Sequence, residues 1–444
     1  MKLPSFQRTT HHTNTRNYIG AALVILFLVA IVGWTWWTAP ARHVSHQQCR
    51  EAMPQGSTMN PPTQLREIWH LETADLGQAN TNPASSPPQL PTWTVPNPIA
   101  SNGAVLIADP TGVRALDTRD GAELWSYHRD IELCTALISG SAAYLTFNGP
   151  AGCGETVALE VTDGSYIATR RTAHEADDHP AWPIQSSYYP GVFSNNFAEL
   201  WRNDLVRVVE YGDVPAAVEP GMQPHPNCQV INALSREENT AVISNCDGDF
   251  HLVFVGSKPE DSREPEVKVD IDLSSAAHLV AIGNNAATIR MGTDVITFDD
   301  TGRETSRHPA LSSLMIPQSP VAGAERFALS LNDARKTAWY SADLPHHIAW
   351  FSGSEVLFFV PETLEVAFTA PRAVGTPVSV AGHIAVPVVD GYDFYDVETG
   401  QFKYHLDSAR DRSIDFTHYP VQTAVEGQRL IEKEGSVIRS LSME

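Results

Sequence analysis

The feature that most restricts how this chain can fold is a pattern it repeats. From Val113 to Asp130 the sequence reads VRALDTRDGAELWSYHRD. Val113, Ala115 and Leu116 begin an apolar strand. Asp117 to Gly121 carries turn chemistry, with Gly121 free to adopt positive φ. From Glu123 to Tyr127 a second strand follows, bearing Trp125 and Tyr127. GYDFYDVETGQFKYH, 391–405, repeats the form with Asp396 and Gly400, and puts Phe402 and Tyr404 where the aromatic belongs. VITFDDTGRET, 295–305, supplies Asp299 and Gly302. VALEVTDGSY, 157–166, has Glu160 in the Asp place and Gly164. VLFFVPETLEVAF, 356–368, is a looser copy without the Gly. Copies roughly 40 to 60 residues apart have the spacing of propeller blades rather than of a single sandwich.

The order Ala115, Asp117, Gly121, Trp125 resembles the blade signature of quinoprotein-like β-propellers, A-x-D-x-x-x-G-x-x-x-W. The resemblance implies a Trp packed between neighbouring blades and a hairpin shaped by the Asp and Gly. Hairpin groups fall near 99–128, 133–172, 184–212, 228–271, 277–307, 320–371 and 377–407, with a terminal group beyond. The third is short and the sixth long and irregular. The expected fold is an all-β propeller of seven blades, with eight as the alternative count and a pair of β-sandwiches as the competing fold. TQLREIWHLE, 63–72, stands alone as a strand before the first group. Pairing it with the last strands, at 423–425, 429–433 and 436–441, would close the ring and remove an exposed sheet edge.

Ahead of the repeats, Tyr18 to Thr38 has no charged residue. As a helix it would reach about 31 Å, the thickness of a bilayer's hydrocarbon core. Trp34, Trp36 and Trp37 lie at its far end, as an interfacial belt would. Lys2, Arg8 and Arg16 precede it without an acid, which places the N-terminus in the cytoplasm. A cleaved signal peptide is the competing reading, but the apolar region is long for one and Ala39-Pro40-Ala41 is a poor cleavage site. The expected organisation is a cytoplasmic tail (1–17), a transmembrane helix (18–38), a polar linker (39–62) and an extracytoplasmic propeller (63–444), in a single-pass protein of the cell membrane. Ala79 to Pro98 is expected to be a Pro-rich surface loop.

All five cysteines follow the span. Outside the membrane disulfides are permitted. Cys134 and Cys153 flank the strand 143–147, and Cys228 and Cys246 flank 239–244, so each pair can bridge adjacent strands of one blade. Loops of that size are worth about 3 kcal/mol in the chain-entropy model. Cys49 is left unpaired and lies in no lipobox. The net charge of −22 disfavours nucleic acid and anionic lipid headgroups, which need basic residues to meet them.

Catalytic motifs do not appear: there is no G-x-S-x-G, H-E-x-x-H, C-x-x-C or phosphate loop. His11-His12 and His346-His347 read as solvated loops, and Asp299-Asp300 and Asp247-Gly248-Asp249 as acidic turns rather than calcium loops. No metal and no cofactor is expected. The most unusual segment is NNFAELWRNDLVRVVEYGD, 195–213, which fits a blade hairpin poorly. Trp201, Arg202, Asp204, Arg207 and Tyr211 are candidates for a ligand or partner surface, because Trp, Arg and Tyr are favoured in interface hot spots. The plainer reading is an ion network, with Trp201 in the core and Arg202 and Arg207 on the surface.

The anchor, ALDTRDGAELWSYHRD, ELWRNDLVRVVEYGD and the cysteines in CGETVALE and QPHPNC together resemble a family of membrane-anchored propellers of mycolate-making actinobacteria, the polar growth factor A family. The resemblance implies a non-enzymatic role in cell-envelope growth. It also implies a trehalose monomycolate-like glycolipid as ligand and the inner-membrane lipid exporter, or another envelope protein, as partner. No catalytic residue carries over. A quinone-dependent dehydrogenase is the enzymatic alternative, although the chain lacks the adjacent Cys-Cys pair of such enzymes. A scaffold for protein assembly is the other.

Overall fold

The computed structural model describes residues 15–38, 43–53, 56, 60–73, 91, 93–172, 181–214, 221–308, 335–411, 414, 416 and 419–444. The tail up to residue 14, most of the Pro-rich stretch and the start of the sixth hairpin group lie outside them. Contacts divide the chain into two units, Met1–Ser45 and His46–Glu444. The first carries a helix, Thr15–Trp37. Tyr18–Trp37 is long and apolar enough to cross a membrane, and none of it is buried. Near its end Thr35 Oγ1 donates to the Val32 carbonyl, and Thr38 Oγ1 donates to the Trp34 carbonyl, which also accepts from the Thr38 amide.

In the second unit, the described strands form eight antiparallel sheets. Blade one holds Ala100–Ser101, Ala104–Asp109, Gly112–Asp117 and Glu123–Arg129. The next six are sheets of four strands over 133–171, 182–212, 229–273, 277–308, 341–371 and 378–407. Blade eight joins Leu65–Glu72 to Gln422–Glu426, Arg429–Glu434 and Val437–Met443. Leu65 pairs with Met443 and Glu72 with Val437, so the two ends of the chain share one sheet, as the lone strand predicts. The ring therefore has eight blades rather than seven. The short third group is a complete sheet whose first strands, Trp182–Ile184 and Gly191–Phe193, are only three residues long.

Burial grades across several of the sheets. The first strands Leu133–Ser139 and Ala277–Ile282 are buried along their length, because neighbouring blades cover both faces. Fourth strands such as Val267–Leu273 alternate between exposed and half-buried positions, with one face toward water.

The repeated motif links blades rather than shaping one alone. Trp125, on the strand Glu123–Arg129 of blade one, is fully buried and donates from Nε1 to the Val161 carbonyl of blade two at 2.8 Å. There Gly164 turns at φ +73°, and a Cβ on it would come within 2.7 Å of the Trp125 ring. Trp69 of blade eight likewise covers Gly121 of blade one and donates to the Thr118 carbonyl at 3.1 Å. Phe368 does the same over Gly400, and Val269 over Gly302. Each Gly is thus a socket for the preceding blade. The Asp closes its own turn: Asp117 accepts from the Arg119 amide, Asp299 from Thr301 and Asp396 from Thr399. In the copy without Gly, Leu364 takes φ +55° instead.

Three expectations need correction. Val44–Gln48, assigned to the linker, is a fifth strand beside Glu123–Arg129. His46 packs edge-on against Tyr127 and Tyr166, which gives this polar strand a reason to pair. The 195–213 segment is an ordinary hairpin, Phe197–Trp201 with Arg207–Gly212, whose pairing shifts between Leu200 and Trp201. Both expected disulfides form, and Cys49 is free and exposed. Cys228 and Cys246 do join adjacent positions of one blade. Cys134, however, lies on the first strand of its blade and Cys153 on the third, so that bridge passes the end of the strand between them.

Candidate binding site in the central channel

The segment singled out by sequence does not form one surface. Trp201 is fully buried and stacks on Tyr144, with ring centroids 6.5 Å apart. Tyr211 is equally buried and shares a 2.9 Å hydrogen bond with Ser244 of the next blade. Burial raises its hydroxyl pKa. These two are core residues, not contact residues. The irregular register at Trp201 turns its indole inward, and Leu205, at φ +60°, packs in the same cluster. Arg202 and Asp204 are exposed and bracket each other at 2.6 Å. The pair also fixes a turn, since Asp204 accepts from the Val206 amide. Half-buried Arg207 is paired with Glu210. The same sheet places Glu199, fully buried, against Arg170 and Thr172. The charged side chains of the segment are thus held in separate ion pairs, Arg202 with Asp204, Arg207 with Glu210 and Glu199 with Arg170.

A different site arises where the first strands converge. Two segments fill part of that axis. Residues 93–98 run through it, with Trp93 to Asn97 buried. The short helix Thr337–Tyr340 lies beside them. Trp339 donates to the Thr94 carbonyl at 3.0 Å, and Thr337 to the Leu279 carbonyl at 2.8 Å. Arg335 stacks over the Trp182 ring at 4.2 Å and has its pKa lowered to about 10 by burial.

Beside this filling is a cavity of about 320 Å³, bordered by residues on or next to the inner strands of seven of the eight blades. Such a volume is at the lower end of small-molecule sites. Its walls are mostly apolar, with Leu234, Val280, Ile282, Leu344, Ile348 and Val378, but polar groups converge on it. Asn97 donates from Nδ2 to Thr376 Oγ1 at 2.7 Å, while its Oδ1 is buried without a partner. Gln185 donates to the Ile138 carbonyl at 2.5 Å, and its Oε1 is also buried and unpartnered. A buried amide oxygen left unpaired is destabilising by about 1–3 kcal/mol. At the rim Arg236 meets Asp343 at 3.2 Å and also Asn284. Ser187 and Asp343 are exposed there. The lining includes no His or Cys, and its one carboxylate is already paired with Arg236. The arrangement is suited to holding a neutral, hydroxyl-bearing group rather than to acid–base or nucleophilic chemistry.

Sequence reading missed Asn97, Gln185, Arg236 and Asp343. Their only local signal is that polar residues end apolar inner strands, as in Leu234-Ser235-Arg236. Nothing in that signal says that four segments so far apart meet on one axis.

No family model and no curated sequence matches the chain. Solved structures do. Sqt1 from Saccharomyces cerevisiae aligns over 85% of this chain and 99% of its own, with a TM-score of 0.50 and 7% identity. BamB from Moraxella catarrhalis aligns over the same shares, with a TM-score of 0.45 and 13% identity. The quinohemoprotein alcohol dehydrogenase ADHIIG from Pseudomonas putida HK5 aligns over 88% of this chain and 78% of its own, with a TM-score of 0.47 and 11% identity. Likeness at these identities is likeness of fold: an all-β propeller.

Proposed function

We propose that this chain is a non-enzymatic factor of the cell envelope, held by its N-terminal helix with the propeller outside the membrane. Its channel cavity takes the hydroxyl-rich headgroup of a trehalose monomycolate-like glycolipid, and the protein works beside the inner-membrane lipid exporter. The observation that carries this reading is a mostly apolar channel cavity whose lining includes the amide side chains of Asn97 and Gln185 and four serines, with the Arg236–Asp343 pair at its rim. Sugar hydroxyls donate to amide oxygens and accept from a guanidinium. Two disulfides agree with an oxidising compartment.

The test is direct. Lipid extracted from the full chain, purified in detergent, is analysed by mass spectrometry, and trehalose is titrated calorimetrically. A co-purifying glycolipid and saturable sugar binding are expected, with Gln185→Leu and Arg236→Ala each weakening binding by about tenfold. A chain that carries no glycolipid, binds no trehalose, or binds it equally well in both variants would overturn the glycolipid reading.

A further inference from the structure

Blade four brings together a group of side chains that the channel does not use. His251 lies on its third strand, Asp249–Gly256, and Asp270 and Asp272 on its fourth, Val267–Leu273. In register, His251 faces Asp272 and Val253 faces Asp270, which puts the imidazole and both carboxylates on one face of the sheet. His225 comes from the loop before the first strand and lies over the same face. Its Nε2 is 2.7 Å from Asp270 Oδ2. His251 Nδ1 is 3.1 Å from Asp270 Oδ1 and 3.2 Å from Asp272 Oδ1. The two imidazole centroids are 4.6 Å apart.

We propose that His225, His251 and Asp270 form a binding site for a divalent transition-metal ion of the zinc class. Three observations converge. The donor set, two imidazoles and a carboxylate, is the borderline N/O set that zinc prefers. Each imidazole is also near the right spacing from the carboxylate: ligands about 2.0–2.1 Å from a tetrahedral ion sit about 3.3 Å from one another, and the two histidine–Asp270 contacts of 2.7 and 3.1 Å fall a few tenths of an ångström short of that. Finally, the site is held in place. Cys228–Cys246 clamps the His225 loop to the second strand, leaving Cys246 Sγ 3.7 Å from His225 Nδ1. On its other side, Gln223 ties the loop to the Arg263 and Glu210 carbonyls. Cys246 is oxidised and so is not a ligand. Its bridge preorganises His225, and Asp272, almost fully exposed, is free to complete the shell. The ordinary alternative is a hydrogen-bonded His–Asp–His cluster. It leaves two carboxylates facing two imidazoles, and the ion pairs of Asp270 and Asp272 among the described residues are all with these histidines.

The experiment uses the full chain in detergent, stripped with EDTA and titrated with zinc chloride alone. Calorimetry should show one saturable equivalent, and zinc should raise the melting temperature in proportion to the logarithm of its concentration. His225→Ala, His251→Ala and Asp270→Asn should each lower affinity at least tenfold, whereas His128→Ala, which removes a His–Asp pair in blade one, should not. Diethyl pyrocarbonate labelling of the unmutated chain, read by peptide mass mapping, locates the site even where a variant fails to fold. Zinc should protect His225 and His251 together. Absence of a saturable equivalent, undiminished binding in the His225→Ala/His251→Ala double variant, or protection at other histidines only would overturn the proposal.

Discussion

Replacing Trp125 by Ala should loosen the junction of blades one and two by about 4–6 kcal/mol. A fully buried Trp truncated to Ala costs about 3–5 kcal/mol in lost transfer energy and cavity, and the lost Nε1 bond to the Val161 carbonyl adds about 1 kcal/mol. The socket can be tested from its other side. Gly164→Ala puts a methyl 2.7 Å from the Trp125 ring and forces Ala to φ +73°. The backbone term is about 1 kcal/mol and the overpacking about 1–3 kcal/mol. With Trp125 already removed, the methyl enters empty space and only the backbone term remains. The two variants should therefore couple by about 1–3 kcal/mol, the double variant being more stable than the sum of the singles implies. Urea unfolding of the full chain in detergent, followed by far-UV circular dichroism, measures all four corners of the cycle. Additivity within about 0.5 kcal/mol would refute the socket and return the motif to a role inside its own hairpin.

Glu432 is buried with Arg410, Arg439 and Tyr392. Burial pushes its pKa up, but the two guanidinium groups outweigh that and hold it below the ordinary value. Glu432→Gln should leave buried cations short of a partner and cost about 3–5 kcal/mol in the same denaturation assay, while Glu398→Gln, on an exposed turn, should have no effect. His278 is buried and, mainly through desolvation with a smaller push from Arg290, has its pKa lowered to about 3. Its folded pKa is depressed, so between about 6.5 and 3 the unfolded chain binds the extra proton and stability falls as pH falls, by up to about 1.4 kcal/mol per pH unit. A stability profile over that range should lose this slope in His278→Gln; an unchanged slope would assign it to other groups. Replacing Cys134 and Cys153 together by Ala should destabilise blade two by about 3 kcal/mol, seen as a lower urea midpoint without loss of the second disulfide.

How much was legible locally depends on how far apart the interacting residues lie. Asp117 and Gly121 interact within one turn, so their types and spacing reveal the hairpin directly. Leu65–Glu72 was recognisable as a closing strand because an unpaired apolar strand needs a partner, and the end of the chain offers one. Val44–Gln48 was not, since VSHQQ has neither strand-forming bulk nor a clean apolar alternation. Its pairing depends on an aromatic pocket built by Tyr127 and Tyr166. Trp201 and Tyr211 were ambiguous for a related reason: alternation assigns faces only while the register is regular, and the shift after Leu200 breaks it.

By itself, the sequence determined the class of the fold, the apolar helix, the ring closure and the disulfide pairs. All of these rest on short-range spacing or on a count of partners. The blade number, the docking of Trp125 into Gly164 of the following blade, and the meeting of Asn97, Gln185, Arg236 and Asp343 around one cavity were decided only by the tertiary structure. So was the convergence of His225, His251 and Asp270. The physical reason is the same in each case. A propeller places its inner strands on a common axis through a small rotation at every blade, and no local pattern encodes the sum of those rotations.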